Sequence, residues 1–331
     1  MKVLLNCLLK HLTLGFLLSL ASVAHGADVL PSWHETDSKQ SIIEFVQQVT
    51  TPGTAFFVQP ADRVAVFDND GTLWSEQPVY VQIAFLMDRV KAIAPQHPEW
   101  RTTQPFKAAL EGDMDTLAHG GAQALLQLVA ATHAGMTSDE YRELVRDWLA
   151  TARHPGTNRP YTEMVYQPML ELLDYLRANG FKTYLVSGGG QAFMRAWVEE
   201  VYGIPPEQVI GSSLKSRLEL RDGVPVVVRM PEMGFVDDKE GKPVAIDHHI
   251  GKHPVMAFGN SDGDLQMLQW TTAGTGPRFG LIVHHTDDGR EVAYDRDSRI
   301  GRLDKVLALA PQMGWTVVDM KTDWKTVFPP R

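Results

Sequence analysis

Short, fully apolar runs alternate with amphipathic stretches along most of the chain. Val64–Phe67 is such a run, closed by Asp68, and it reads as a strand buried on both faces, as in a parallel sheet. Residues 183–187, 208–212, 255–259 and 280–283 repeat the pattern and predict four more strands. Between them the apolar period lengthens to that of a helix. A short helix is expected over 42–49. From 79 to about 153 the text is almost entirely helical, with Ile83, Leu86, Met87 and Val90 at helix spacing. Thr137-Ser138-Asp139-Glu140 is a capping box, opening a helix with Tyr141, Leu144, Val145, Trp148 and Leu149 on one face. Pro105, Gly112, Gly120 and Gly121 break 99–121 into short pieces. Pro168 marks the first turn of a further helix, with Met169, Leu172, Leu173 and Leu176 inward and Gly180 as its stop. A helix over 191–202 follows, then a hairpin over 217–230 turning at Asp222-Gly223. The segment 315–328 is expected to pack back on the core.

Repeated strand–helix units predict an α/β fold: a doubly wound, Rossmann-like parallel sheet of about five strands. The helices between the first two strands predict an inserted all-helical domain over 77–165. The core is then 27–76 together with 166–331.

A chain of 331 residues holds one large domain or two modest ones, and no segment is of low complexity. The net charge of −9 disfavours partners with a phosphate backbone, so no nucleic acid is expected. Residues 1–26 read as an export signal. Lys2 and Lys10 precede a short apolar run, and Ala24-His25-Gly26 offers small residues for cleavage. A membrane anchor is the rival reading, but the run falls short of a span and Lys10 interrupts it. Cleavage leaves 29 basic against 40 acidic residues and removes Cys7, the only cysteine. Thiol catalysis and zinc-thiolate sites are thereby excluded. The expected location is periplasmic or secreted, with no stable membrane insertion after cleavage.

In an open parallel sheet, ligands bind beyond the carboxyl ends of the strands. The first strand runs into Asp68-Asn69-Asp70-Gly71-Thr72, the second into Ser187-Gly188-Gly189-Gly190, and the fourth into Gly259-Asn260-Ser261-Asp262-Gly263-Asp264. Lys242 opens the helix before the fourth. Crowded carboxylates repel unless a cation sits among them, and oxygen-only ligands select Mg2+. Two carboxylates two residues apart suit a division of labour. Asp68 attacks phosphorus to form an aspartyl-phosphate, and Asp70 protonates the leaving alkoxide and later deprotonates water. Ser187, Lys242 and main-chain N–H groups after Asp68 and Gly188 would meet the charge on the transferring oxygens.

At these residues the chain resembles the haloacid dehalogenase superfamily of aspartate-nucleophile phosphatases. Its DxDGT motif matches Asp68 to Thr72, its strand-end hydroxyl Ser187, its lysine Lys242, and its GDxxxD motif Gly259 to Asp264. The four occur in order, from Val64 to about Leu268. The helical insert is similar to the family's C1 cap, and the hairpin before Lys242 resembles the phosphoserine phosphatase branch. Secreted phosphorylcholine phosphatases are a further cousin. The resemblance implies a Mg2+-dependent phosphomonoesterase of the acid phosphatase type, acting on a small phosphate ester such as phosphoserine or phosphorylcholine. It implies Asp68 and Asp70 as catalytic groups. Thr72, Ser187, Gly188 and Lys242 are the implied phosphate-binding groups, and Asp68, Asp70, Asn260 and Asp264 the implied metal ligands. Asn260 stands where the family has its first acid, so weaker Mg2+ binding is expected, and Asp262 is a further candidate ligand.

Plainer readings stand beside these. Asp68 and Asp70 suit ordinary turns, Ser187 a cap, Lys242 a solvated surface, and Asp264 a helix start. His248, His249, His253, His284 and His285 read as surface or helix-end residues, with no third ligand at zinc spacing. Trp74 either lines the pocket or packs the hinge of the insert. Tyr80, Arg89, Trp100 and Arg101 are candidates to reach the pocket. The competing functions are a phosphotransferase or mutase of the same superfamily, and a phospho-ligand-binding protein without turnover.

Overall fold

The computed structural model describes residues 28–331. The expected export signal and Cys7 lie outside the described residues.

The core is a seven-stranded sheet in the order β4-β3-β2-β1-β5-β6-β7. Its strands are β1 Val64–Phe67, β2 Lys182–Gly190, β3 Val209–Arg221, β4 Val224–Phe235, β5 Met256–Gly259, β6 Phe279–His284 and β7 Thr316–Asp319. All neighbours pair in parallel except β3 with β4. Central β1 sets Phe67 level with Leu185 of β2 and Phe258 of β5, so three chain segments leave the sheet at one edge.

The expected count of five strands is thus corrected to seven. β3 runs on unbroken from the parallel sheet into the first arm of the hairpin, and β4 is its second arm. The hairpin turns at Asp222 (φ 52°) and Gly223 (φ 80°), the two left-handed positions that an Asp-Gly turn supplies. β7 comes from the segment expected only to pack on the core. Its four residues are too few to show a period.

The helices follow from the apolar stripes. α1 is Asp37–Thr50, α2 Val81–Ile93, α3 Phe106–Glu111, α4 Met114–His133, α5 Ser138–Thr151 and α6 Gln167–Ala178. α9 Gly241–Ile250, α10 Leu265–Thr272, α11 Lys305–Met313 and α12 Met320–Asp323 lie in the second half. The helix expected over 191–202 breaks into α7 Gln191–Met194 and α8 Val198–Tyr202. The Thr137–Glu140 capping box forms, with Thr137 Oγ1 accepting from Glu140 N–H and Glu140 accepting from Thr137 N–H. Gly121, at φ 57° and ψ −151°, kinks α4.

Alternate residues of β1 face opposite cores. Ala65 and Phe67 join Ile42, Val46, Leu172 and Leu176 on one side. Val64 and Val66 join Ile246, Leu268 and Val306 on the other. The inserted helices have an apolar cluster of their own around Leu86, Val90, Trp100 and Leu128. Phe85, Tyr141, Val145 and Leu149 of the insert instead join the first core cluster. No helix among the described residues is long and apolar enough to cross a membrane.

Candidate active site

The turn after β1 is shaped by its own main chain. Asn69 C=O accepts from the N–H groups of Thr72 and Leu73, and Gly71 N–H donates to Trp74 C=O. Gly71 sits at φ 74°, and a Cβ there would collide with the Asn260 amide and the Glu76 carboxylate. Only glycine lets this turn lie against both groups.

Asp68 is buried just past β1, its N–H donating to Phe258 C=O of β5 at 2.9 Å. Lys242, in the first turn of α9 and 2 % exposed, donates to Asp68 Oδ1 at 2.7 Å and to Asp264 Oδ1 at 2.5 Å. The lysine is therefore no surface charge: its two anions hold it protonated against the cost of burial. Burial, and next the Asp264 charge, push the Asp68 carboxyl well up, with Lys242 pulling it back. Burial also pushes Asp70 up, to about 6, against a hydrogen bond from Trp74 Nε1 to its Oδ1 at 2.7 Å. Trp74 is itself buried and stacked on Trp197 with ring centroids 4.2 Å apart. It packs the interior and holds Asp70 at once.

Asp264 Oδ2 accepts from the N–H groups of Asn260 and Ser261 at 3.0 and 3.1 Å, and Oδ1 accepts from Lys242, so Asp264 orients Lys242 and the loop. Asp262 turns away and caps the start of α11, accepting from Asp304 and Val306 N–H at 3.1 Å each. Thr72, fully buried, donates to Asn260 Oδ1 at 3.1 Å, which engages the hydroxyl expected to face phosphate. Ser187 is buried at the strand end, its Oγ accepting from Gly189 N–H at 3.1 Å. Gly188 is exposed, and its carbonyl accepts from Ser212 Oγ at 2.8 Å.

The sequence pattern gave no sign of Glu76. It is 2 % exposed, and its Oε1 accepts from Asn260 Nδ2 and from Tyr294 OH, each at 2.7 Å. Burial pushes it well above the ordinary carboxylate range, and the Asp70 and Asp68 charges add to that. So a carboxylate lies against the very amide that replaces the family's acid. His285 was also expected outside. It is 2 % exposed and bridges Gly71 C=O and Glu291, at 2.8 and 3.2 Å, beneath the Asp70 turn. Gln82 of α2 ties the insert to the glycine run, its Oε1 accepting from Gly190 N–H at 2.6 Å.

Three solved structures are similar to the chain. A conserved protein of unknown function from Anaerococcus prevotii superposes with a TM-score of 0.51 at 17% identity, over 79% of this chain and 89% of that one. A protein of unknown function from Bordetella pertussis gives 0.47 at 18% identity, over 78% and 98%. A phosphoserine phosphohydrolase-like protein from Francisella tularensis gives 0.37 at 18%, over 67% and 87%. No curated protein matches the chain. The sequence family described as haloacid dehalogenase-like hydrolase matches residues 65–269, which span β1, the insert, Ser187, Lys242 and the Asn260–Asp264 loop. With its sheet, its strand-end carboxylates and more than half its length in agreement, the chain belongs to the haloacid dehalogenase-like hydrolase family.

Proposed function

We propose that the protein is an exported, Mg2+-dependent phosphomonoester hydrolase that acts through an aspartyl-phosphate on Asp68. The observation that carries this is the Asp68–Lys242–Asp264 chain of contacts at the sheet edge, with a second carboxyl, Asp70, two residues beyond the nucleophile. Asp68 is held in place by an ammonium that also offers positive charge to phosphate oxygens. Asp70, pushed up to about 6, carries a proton under mildly acidic conditions and is placed to give it to the leaving alkoxide. The same group then takes a proton from the water that attacks the acyl-phosphate. Ser187 Oγ and the loop after it supply donors to the phosphate.

The donor set fits a divalent cation. Asp68, Asp70, Glu76 and Asp264 are four carboxyl groups with one buried ammonium among them, and all the remaining donors are oxygens. Among the described residues no three His, Cys, Asp or Glu side chains converge as a ready-made metal cluster. Mg2+ would be held by Asp68, Asp70 and Asp264 with the Asn260 amide oxygen, and the Glu76 carboxyl against that amide is one more oxygen donor. When bound it would neutralise charge on the phosphoryl oxygens. The inserted helices serve as a C1-type cap that closes over the site and chooses the leaving group. A binding protein without turnover is favoured only by Asn260, and the pair Asp68 and Asp70 speaks against it, since mere binding has no use for an acid two residues after a nucleophile.

The substrate is a small phosphate ester such as phosphoserine or phosphorylcholine, and the export signal read in residues 1–26 supports a reaction in the periplasm or outside the cell. Purified protein offered a panel of phosphomonoesters is expected to release inorganic phosphate, to stop on EDTA treatment and to recover with Mg2+. Free phosphate released at the same rate by Asp68→Asn would refute the nucleophile. Phosphate passed to an added alcohol rather than to water would mark a transferase.

A further inference from the structure

α5, α7 and the β3–β4 hairpin line a polar cavity of about 300 Å3. Arg142, Arg195 and Arg229 line it together with Ser138, Ser213 and Ser216. Among the described residues no acid lines it, although the chain as a whole carries −9. Arg142 pairs with Asp139 on its solvent side. Arg195 donates to the main-chain carbonyls of Pro206 and Val209, at 2.8 and 3.2 Å, which fixes the guanidinium; the Glu207 charge acts on it less than that of Arg142. Arg229 stacks 4.0 Å over the Tyr141 ring, and among the described residues its buried Nε has no hydrogen-bond partner. Arg89 of α2 is close by, since it and Arg229 both oppose protonation of His133, which burial foremost holds down to about 3. Its buried Nε is likewise without a partner among the described residues.

Like charges gathered round one cavity repel, and burial adds to the cost. Burial first, and then the Arg142 charge, hold Arg195 below the ordinary guanidinium range. An anion between the guanidinium groups removes both penalties at one stroke. Guanidinium forks match the planar geometry of carboxylate and the oxygens of phosphate, and serine hydroxyls add donors. A volume of about 300 Å3 is at the small end of ligand sites. We propose that this cavity binds the oxyanion of a small ligand, a phosphate or a carboxylate, between Arg142, Arg195 and Arg229. Ser212 in its wall donates to Gly188 C=O at 2.8 Å, so the cavity adjoins the loop that follows Ser187. The oxyanion is either a second acidic group of the substrate or a free anion.

Inorganic phosphate titrated calorimetrically into the purified protein without Mg2+ tests the site. Arg229→Gln and Arg142→Gln are each expected to weaken phosphate binding at least tenfold, with circular dichroism unchanged. Should Arg229→Gln fail to fold, Arg142→Gln decides, because Arg142 gives up only an exposed ion pair. Identical isotherms for wild type and a folded variant would overturn the proposal. Kinetics separate the two sources. An acidic group of the substrate raises KM at least tenfold in the variants for esters with a carboxylate-bearing leaving group, and leaves 4-nitrophenyl phosphate unchanged. A free anion leaves both KM values alone, and added sulfate then changes the wild-type rate but not that of Arg229→Gln. Arginine-dependent phosphate binding in a protein that hydrolyses no ester would sink the hydrolase reading and leave this site standing.

Discussion

Replacing Asp237 by asparagine should stabilise the protein at neutral pH. Asp237 lies between β4 and α9, fully buried, its N–H donating to Ser212 Oγ at 3.0 Å. Among the described residues neither carboxylate oxygen has a well-formed hydrogen bond, and the nearby Ser187 main chain pulls its pKa down only in part. Burial pushes its pKa from 3.8 to about 7, with Lys242 pulling down and Asp238 pushing up. The folded pKa is raised, so the group costs nothing below pH 3.8, and stability is lost as the pH climbs towards 7. At 1.36 kcal/mol for each pKa unit the full loss is roughly 4 kcal/mol. Relaxation and water entry round a buried ion reduce such figures, so a gain of about 2 kcal/mol is expected for Asp237→Asn above neutrality. At about 2 °C per kcal/mol for a chain of this size, Tm should rise by roughly 4 °C. Calorimetric scans of both proteins from pH 4 to 9 are the assay. The two Tm curves should meet near pH 4, diverge up to pH 7 and run parallel beyond. Curves that stay parallel throughout, or a variant less stable at pH 8, would show that the carboxylate is paid for by contacts not recognised above.

Asp68→Asn should lower phosphate release at least a thousandfold while leaving Tm within a few degrees, read by colorimetric phosphate assay and calorimetry. Asn260→Asp sets a carboxylate against Glu76, so Mn2+ binding read by electron paramagnetic resonance should strengthen while metal-free Tm falls; Glu76→Gln in the same chain should restore that Tm. On the proposed role of Asp70 as proton donor, Asp70→Asn should lower kcat/KM most for esters with poor leaving groups and least for 4-nitrophenyl phosphate, read by steady-state kinetics. Trp324→Ala removes a fully buried ring in edge contact with Trp33 and should cost about 3–5 kcal/mol in denaturant unfolding.

The strands that carry the site were legible because each is a closed apolar run ending in polar residues, and chemistry sits where such runs end. Asp68 and Ser187 could be placed together for that reason, and Lys242, at the start of a helix, joined them through the order of the motifs. Glu76 was not legible. Ser75-Glu76-Gln77 has the look of a solvated turn, and only the approach of Asn260 and Tyr294, 184 and 218 residues away along the chain, buries it. The hydrogen bonds of Asp264 and Thr72 to their neighbours were not legible, because spacing says which side chains meet but not which donor each oxygen faces. His285 was misplaced for the same reason, since its partners Gly71 and Glu291 belong to different turns. β7 and the long arms of the hairpin escaped because a four-residue strand shows no period and a continuous strand hides its own bend.

The first and last described elements are laced together. Trp33 forms a bridge with Trp324, and Ser38 and Ser41 of α1 meet Val317 and Thr316 of β7, at 3.4 and 3.3 Å. Arg290 clamps the same closing stretch through the carbonyls of Met320, Lys321, Trp324 and Lys325. During synthesis α1 therefore emerges long before the surface that receives it. The helix over Asp37–Thr50 has to wait for Thr316–Asp319 before its seat is complete, and a chain cut short before Thr316 would leave that helix uncovered on one side.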